Sequence, residues 1–331
     1  MGGWDLKIGE IKQSYVTDEE IWKALNQFFT HASTKMSYKY GLLKSLIENL
    51  YNINENLELM FNDVFYSFTK IYWNLVIHHN LWQSNSKNQI SAIQKTLEDI
   101  CLKYSIPKEW TFDKLPYSIQ IETLDSIKKI GEKYVIGAFY SDTNSIFYEF
   151  NIKRGYLKFN RPVYKFLQKH QRTITYLTNY HLAKFLESNN KIPNINYLLG
   201  KVEVISKRDS LSKYLEILTK YDKEYCFYCG KVIKKEKRNK HVDHFIPWSF
   251  IQNDNLWNLV ISCQKCNIQK RDNLAEEKFL DNLLLRNQDL SKEIEEENNN
   301  FFINYKEEKL IQLYQYSIYN GFSNIWSPNI S

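Results

Sequence analysis

No apolar run in this sequence approaches the roughly 20 residues that a membrane-crossing helix needs. That excludes helical channels and transporters. The first residues, MGGWDLKIGE, lack the basic start and apolar stretch of a secretory leader, and they lack the Ser or Thr of a myristoylation signal. Internal repeats are missing too, which excludes a repeat architecture. These absences predict a cytoplasmic protein without membrane contact.

Cysteine and histidine are both scarce, with 5 and 7 residues in 331. Scarcity makes their placement informative. Four of the five cysteines form two C-x-x-C pairs, Cys226 with Cys229 and Cys263 with Cys266. In a cytoplasmic chain such pairs read as metal-binding knuckles before they read as disulfides. Cysteines three positions apart can face one ion when the backbone turns tightly, and two knuckles supply the four thiolates of a structural Zn²⁺ site. A segment of about 50 residues buries too little to fold alone, and zinc contributes about 10–16 kcal/mol in comparable peptides. Cys101, on the apolar side of an expected helix, reads as packing.

The remaining composition, 43% hydrophobic and 15% aromatic, is that of a well-packed chain, and its length favours about two domains. From 17 to about 105 the apolar spacing is helical, with stripes at Val64, Phe68, Ile71 and Leu75 and at Ile90, Ile93, Leu97 and Ile100. Another helix is expected over about 116–133. The period then shifts to two: Ile146, Tyr148, Phe150 and Ile152, then Gly155, then Leu157 and Phe159, which predicts a β-hairpin. Pro162 opens a helical region to about 189, striped by Ile174, Leu177, His181 and Phe185, with His181 read as a core histidine. The polar segment Glu187–Asn196 marks a boundary. Helices return after 274, around Leu280, Leu283 and Leu284 and around Leu310, Leu313 and Tyr314, and the tail NGFSNIWSP is expected to pack.

The fold expected is therefore α+β: a mainly helical N-terminal region with a small β-hairpin, then a zinc-stabilised module, then C-terminal helices. The boundaries fall at 1–195, 205–275 and 276–331.

The net charge of +6 is modest, but Lys231, Lys234, Lys235, Lys237, Arg238 and Lys240 crowd one decade against Glu236 alone. Such a run suits a phosphate-facing surface. It ends one residue before HVDHFIPW, where His241 and His244 flank Asp243. A neutral imidazole can take a proton from water at cellular pH, and a carboxylate is a hard oxygen donor for Mg²⁺.

Between the knuckles the sequence resembles the HNH nuclease family, whose core is a β-hairpin and a helix around one catalytic metal. Asp243-His244 stands at the family's Asp-His pair, Ile246-Pro247 at its turn, and Asn258-Leu259 at its middle Asn. Asn267 stands at the third position, where a strict HNH has histidine, so this is the HNN variant. The resemblance implies His244 as general base, Asp243 and Asn267 as ligands of Mg²⁺ or Mn²⁺, and Asn258 as the group that orients His244. Lys234, Lys235, Lys237, Arg238, Lys240, Lys270 and Arg271 are the expected nucleic-acid contacts. His241 is a possible further ligand or phosphate contact, and Trp248 and Trp257 are expected module core.

Outside that module, GLLKSLIENL, HLAKFLESNN and LYQYSIYNGFSNIW resemble segments that flank it in bacterial antiphage defence proteins. The function implied is a metal-dependent endonuclease that cuts or nicks double-stranded DNA, with an ATPase or sensor subunit as a possible partner. Two alternatives stay open: an HNH ribonuclease acting on RNA or transfer RNA, and a zinc-stabilised DNA-binding module without catalysis. The latter needs the cysteines and the basic run but not Asp243, His244, Asn258 and Asn267 together.

Overall fold

The computed structural model describes residues 6–31, 35–86, 88–190, 211–221, 225–233, 240–251, 254–294, 301–302 and 305–328. The chain divides into two compact units, Met1–Lys207 and Arg208–Ser331.

The first unit is built from helices α1 (Asp18–His31), α2 (Tyr38–Glu48), α3 (Phe61–Trp73), α4 (Ala92–Lys103), α5 (Tyr117–Tyr134), α6 (Ile136–Asp142), α7 (Arg161–Lys169) and α8 (Gln171–Asn189). Local sequence explains several of their starts. The Thr17 amide donates to Glu20 Oε2 at 2.8 Å, and the Glu20 amide to Thr17 Oγ1 at 3.3 Å. That reciprocal pair is a capping box, and it satisfies two amides that the first turn would leave open. Ser91 caps α4 by accepting from the Gln94 amide. Helix α4 thus starts after Ile90, which lies outside the helix and is 38% exposed, so the expected stripe begins at Ile93. Pro162 sits in the first turn of α7, where its missing N–H costs nothing.

The expected hairpin forms as β3 (Tyr148–Asn151) and β4 (Tyr156–Phe159). Gly155 holds its turn at φ +70°, a backbone region that a side chain would strain. The hairpin is extended on both sides, by β1 (Ile8–Gly9) against β3 and by β2 (Glu58–Met60) against β4. The resulting antiparallel sheet has the order β1-β3-β4-β2.

Aromatic rings fill the core of this unit. Phe65, Phe68, Tyr72 and Trp73 of α3 are buried, as are Phe139, Phe147 and Tyr148. Helices α3 and α5 approach so closely that a Cβ on Gly131 would lie 2.0 Å from the Phe65 ring. His181 stacks on Phe29 at 4.7 Å between ring centroids, a packing role. Cys101 is buried and donates to the Ile106 carbonyl.

The second unit holds α9 (Ser212–Tyr221), β5 (Lys240–His244), the short helix α10 (Trp248–Ile251), β6 (Leu259–Cys263), α11 (Gln264–Lys270), β7 (Leu274–Ala275), α12 (Lys278–Glu293), α13 (Glu307–Tyr319) and β8 (Ile325–Trp326). Strands β5 and β6 pair antiparallel, with Asp243 opposite Val260 and His244 opposite Leu259. Helices α9 and α11 both pack against the two strands. Helix α12 straps β6: Arg286 Nη2 donates to the Leu259 carbonyl and Asn287 Nδ2 to the Trp257 carbonyl. The C-terminal tail returns as β8, parallel to β7, and brings Phe322 against Phe250. Trp257 is buried and Trp248 half-buried. The α+β class is as expected, with small, mainly antiparallel sheets among helices at both ends.

Candidate zinc centre and active site

The first knuckle is a tight turn. The Gly230 amide donates to the Cys226 carbonyl at 2.9 Å, and Gly230 adopts φ +67° to let the chain reverse. The turn is tied to the hairpin by the Phe227 amide, which donates to the Ile261 carbonyl. The second knuckle joins two elements: Cys263 ends β6 and immediately precedes α11, and Cys266 lies in the first turn of that helix.

All four Sγ atoms lie within 4.8 Å of one another, and Cys229 Sγ stands 3.9 Å from Cys263 Sγ. Tetrahedral Zn–S bonds of about 2.3 Å require sulfurs about 3.8 Å apart. The spacing therefore fits Zn²⁺ and is far too long for a disulfide. Burial, then the charge of Cys226, pushes the Cys266 thiol well above its ordinary value. Burial pushes the Cys226 thiol up as well, so without a cation these two buried thiols resist ionisation, and a bound divalent ion reverses that preference. The cluster is compatible with a zinc site.

Beside it, β5 ends in Asp243 and His244, both buried. Asp243 Oδ2 accepts from the Tyr228 hydroxyl at 2.5 Å and pairs with Lys270 Nζ at 3.0 Å. Tyr228 lies inside the first knuckle, so one residue links the sulfur cluster to the carboxylate. Burial, then the Asp243 charge, raises the Tyr228 pKa well above the usual phenol value, which keeps the hydroxyl a donor. His244 Nε2 meets Asp254 Oδ1 at 2.7 Å. Asn258 clamps the turn that follows: its Oδ1 accepts from the Ile246 amide and its Nδ2 donates to the Ile246 carbonyl, both at 2.9 Å. Asn267 lies on α11, half-buried.

Residues 226–275 match the HNH endonuclease family. The match spans both knuckles, β5, β6, α11 and β7, and the rest of the chain lies outside it. No curated protein and no solved structure matches the chain.

Within the HNH segment the expected residues take unequal places. Asp243 and His244 are consecutive at the end of β5, opposite Val260 and Leu259 of β6. Asn258 acts on the backbone of Ile246, not on the His244 ring; the ring's partner is Asp254. Lys270 is a correction. Its charge and position predict a phosphate contact, but it is 0% exposed, with Nζ held by Asp243 and, at 2.8 Å, by the His244 carbonyl. A buried ammonium needs such partners, and the end of α11 packs into the hairpin. Lys240 is likewise buried in the ladder opposite Cys263. Arg271, just past α11, is exposed. Lys234, Lys235, Lys237 and Arg238 lie outside the described residues. His241 is half-buried, and its Nε2 has no hydrogen-bond partner among the described residues.

The sequence alone does not single out Tyr228 or Asp254. The only signal for Tyr228 is an aromatic residue within a knuckle, and Asp254 stands in a polar stretch of sequence, QNDN, without periodicity.

Proposed function

We propose that this protein is a metal-dependent endonuclease that hydrolyses DNA phosphodiester bonds. The observation that carries the reading is the buried Asp243-His244 pair at the end of β5, each side chain held by its own partner, inside a segment of HNH endonuclease type. Zinc, held by the four cysteines, serves the fold.

A catalytic divalent ion fits the donors present. Asp243 Oδ1 makes no hydrogen bond among the described residues, and Asn267 offers an amide oxygen from the helix packed on β5. His241 places an unpartnered, buried Nε2 two residues before Asp243 on the same strand. Asp243 and Asn267 would hold Mg²⁺ or Mn²⁺, with His241 as a further donor, and water and phosphate oxygens would complete the shell. When bound, the ion supplies positive charge to the phosphate and the leaving oxygen. His244 takes a proton from water as that oxygen bonds to phosphorus and the opposite P–O bond breaks. Asn258 holds the turn that keeps His244 in place. Lys270 balances the charge of Asp243.

The basic run before β5 and the exposed Arg271 support a polyanionic substrate. The resemblance of the flanking segments supports an antiphage role, in which the first unit chooses the target or binds a sensor or ATPase partner. The test sets supercoiled plasmid beside total RNA, each with purified protein and Mg²⁺ or Mn²⁺. Nicked or linear plasmid with intact RNA supports the reading. Cleavage of RNA alone replaces DNA with RNA as substrate, and cleavage of neither leaves a zinc-stabilised binding module.

A further inference from the structure

Asp254 touches the imidazole through one specific ring nitrogen. Its Oδ1 lies 2.7 Å from His244 Nε2, and both side chains are largely shielded, at 15% and 3% exposure. An ionised carboxylate can only accept hydrogen bonds. The nitrogen that faces it must carry the hydrogen. In the neutral ring the lone pair then falls on Nδ1, which makes no hydrogen bond among the described residues.

Asp254 is itself held in place. Its backbone carbonyl accepts from the Tyr214 hydroxyl of α9 at 2.7 Å, and the next residues close a turn through the Asn258 amide and the Asn255 carbonyl. Helix α9 lies before the segment that matches the HNH family, so this support comes from a part of the chain outside the match.

We propose that Asp254 is the positioning residue of His244: it fixes the Nε2–H tautomer and presents Nδ1 as the nitrogen that accepts the proton, with Tyr214 anchoring its loop. The tautomer half of this statement stands on geometry alone. The catalytic half rests on the reading of His244 as the base. A loop carboxylate that only filled space would show neither effect. The arrangement adds a third polar partner to the pair on β5 and gives Asp254 a chemical role.

The experiment uses the full chain, zinc-loaded and labelled with ¹⁵N-histidine, at a pH where the imidazoles are neutral. Long-range ¹H–¹⁵N correlation reads the tautomer, with His244→Ala assigning the signal. Wild type should show one tautomer, protonated at Nε2. Asp254→Ala should show a mixture, with kcat lowered about 10–100-fold, the range for loss of a group that orients an active-site histidine. KM should stay within about twofold, since no substrate contact is removed. Asp254→Glu, which keeps the carboxylate, should restore the Nε2–H form and part of the rate. Wild type protonated at Nδ1 overturns the proposal, and that measurement depends on no Asp254 variant. So does Asp254→Ala with both tautomer and kcat unchanged. A variant that loses the tautomer but keeps its rate overturns the positioning role of Asp254, and His244→Ala then reads separately whether His244 is the base.

Discussion

Replacing Tyr228 with phenylalanine removes one oxygen from a residue that is only 3% exposed. The hydroxyl donates to Asp243 at 2.5 Å, and the acceptor also holds Lys270 at 3.0 Å. A hydrogen bond to a charged group contributes about 1.5–3 kcal/mol. With a urea slope of about 2 kcal/mol per molar, the midpoint of the second unit should fall by about 1 M. Zinc release is the right probe, because it reports this unit alone. A double-mutant cycle isolates the bond. Asp243→Ala leaves Lys270 buried without its counter-charge and costs about 3–5 kcal/mol by itself, but that cost appears in both backgrounds and cancels. The remaining Tyr228–Asp243 coupling should be about 1.5–3 kcal/mol. It should be the same at pH 7 and pH 9, since the raised Tyr228 pKa keeps the proton in place over that range. A coupling below about 0.5 kcal/mol refutes the link between knuckle and carboxylate.

Other outcomes follow from the same structure. Elemental analysis should find about one zinc per chain, and Cys226→Ser or Cys263→Ser should unfold the second unit; a metal-free, fully active double variant contradicts the site. Gly131→Ala should destabilise the first unit, because overpacking against Phe65 costs about 1–3 kcal/mol and exceeds the helix-propensity gain of under about 1 kcal/mol; circular dichroism in urea reads it. Burial raises the pKa of Tyr72 and of Tyr148, so the folded chain keeps their protons while the unfolded chain releases them. That contribution is complete below the ordinary phenol value of about 10 and is lost as pH rises above it, so phenolate absorbance from these residues should appear only as the first unit unfolds. Truncation after Tyr319 removes β8, the Trp326 ring from Tyr228 and Phe322 from Phe250, and should lower the urea midpoint for zinc release.

What could be read from the sequence was what is local. The knuckles, the alternation from Ile146 to Phe159 and the Asp243-His244 pair are each written within a few residues, where spacing and geometry are nearly the same thing. Strands β1 and β2, of two and three residues, are too short to show alternation, and they exist because the edges of the β3–β4 hairpin needed partners. The pairing of β7 with β8 joins Leu274 to Ile325 across the whole C-terminal pair of helices, and no local pattern announces it. Lys270 shows the limit most clearly. By charge and position it reads as a phosphate contact, but the packing of α11 on β5 turns it inward onto Asp243. Asp254 and Tyr228 were hidden for the same reason: their partners lie 10 and 15 residues away and meet only in the folded hairpin. Ile90 fits the helical spacing of its neighbours but falls before Ser91, and the cap overrode the stripe.

If Asp243 and His244 form a nuclease site, cleavage should be lost in His244→Ala. Wild type and variant, matched for zinc content and urea midpoint, are incubated with plasmid DNA and with Mg²⁺ or Mn²⁺. Loss of a positioned base should slow cleavage at least about 10²-fold while nucleic-acid binding, which depends on phosphate contacts, stays within a fewfold of wild type. A folded His244→Ala protein that cuts DNA at the wild-type rate would show that His244 is not the base.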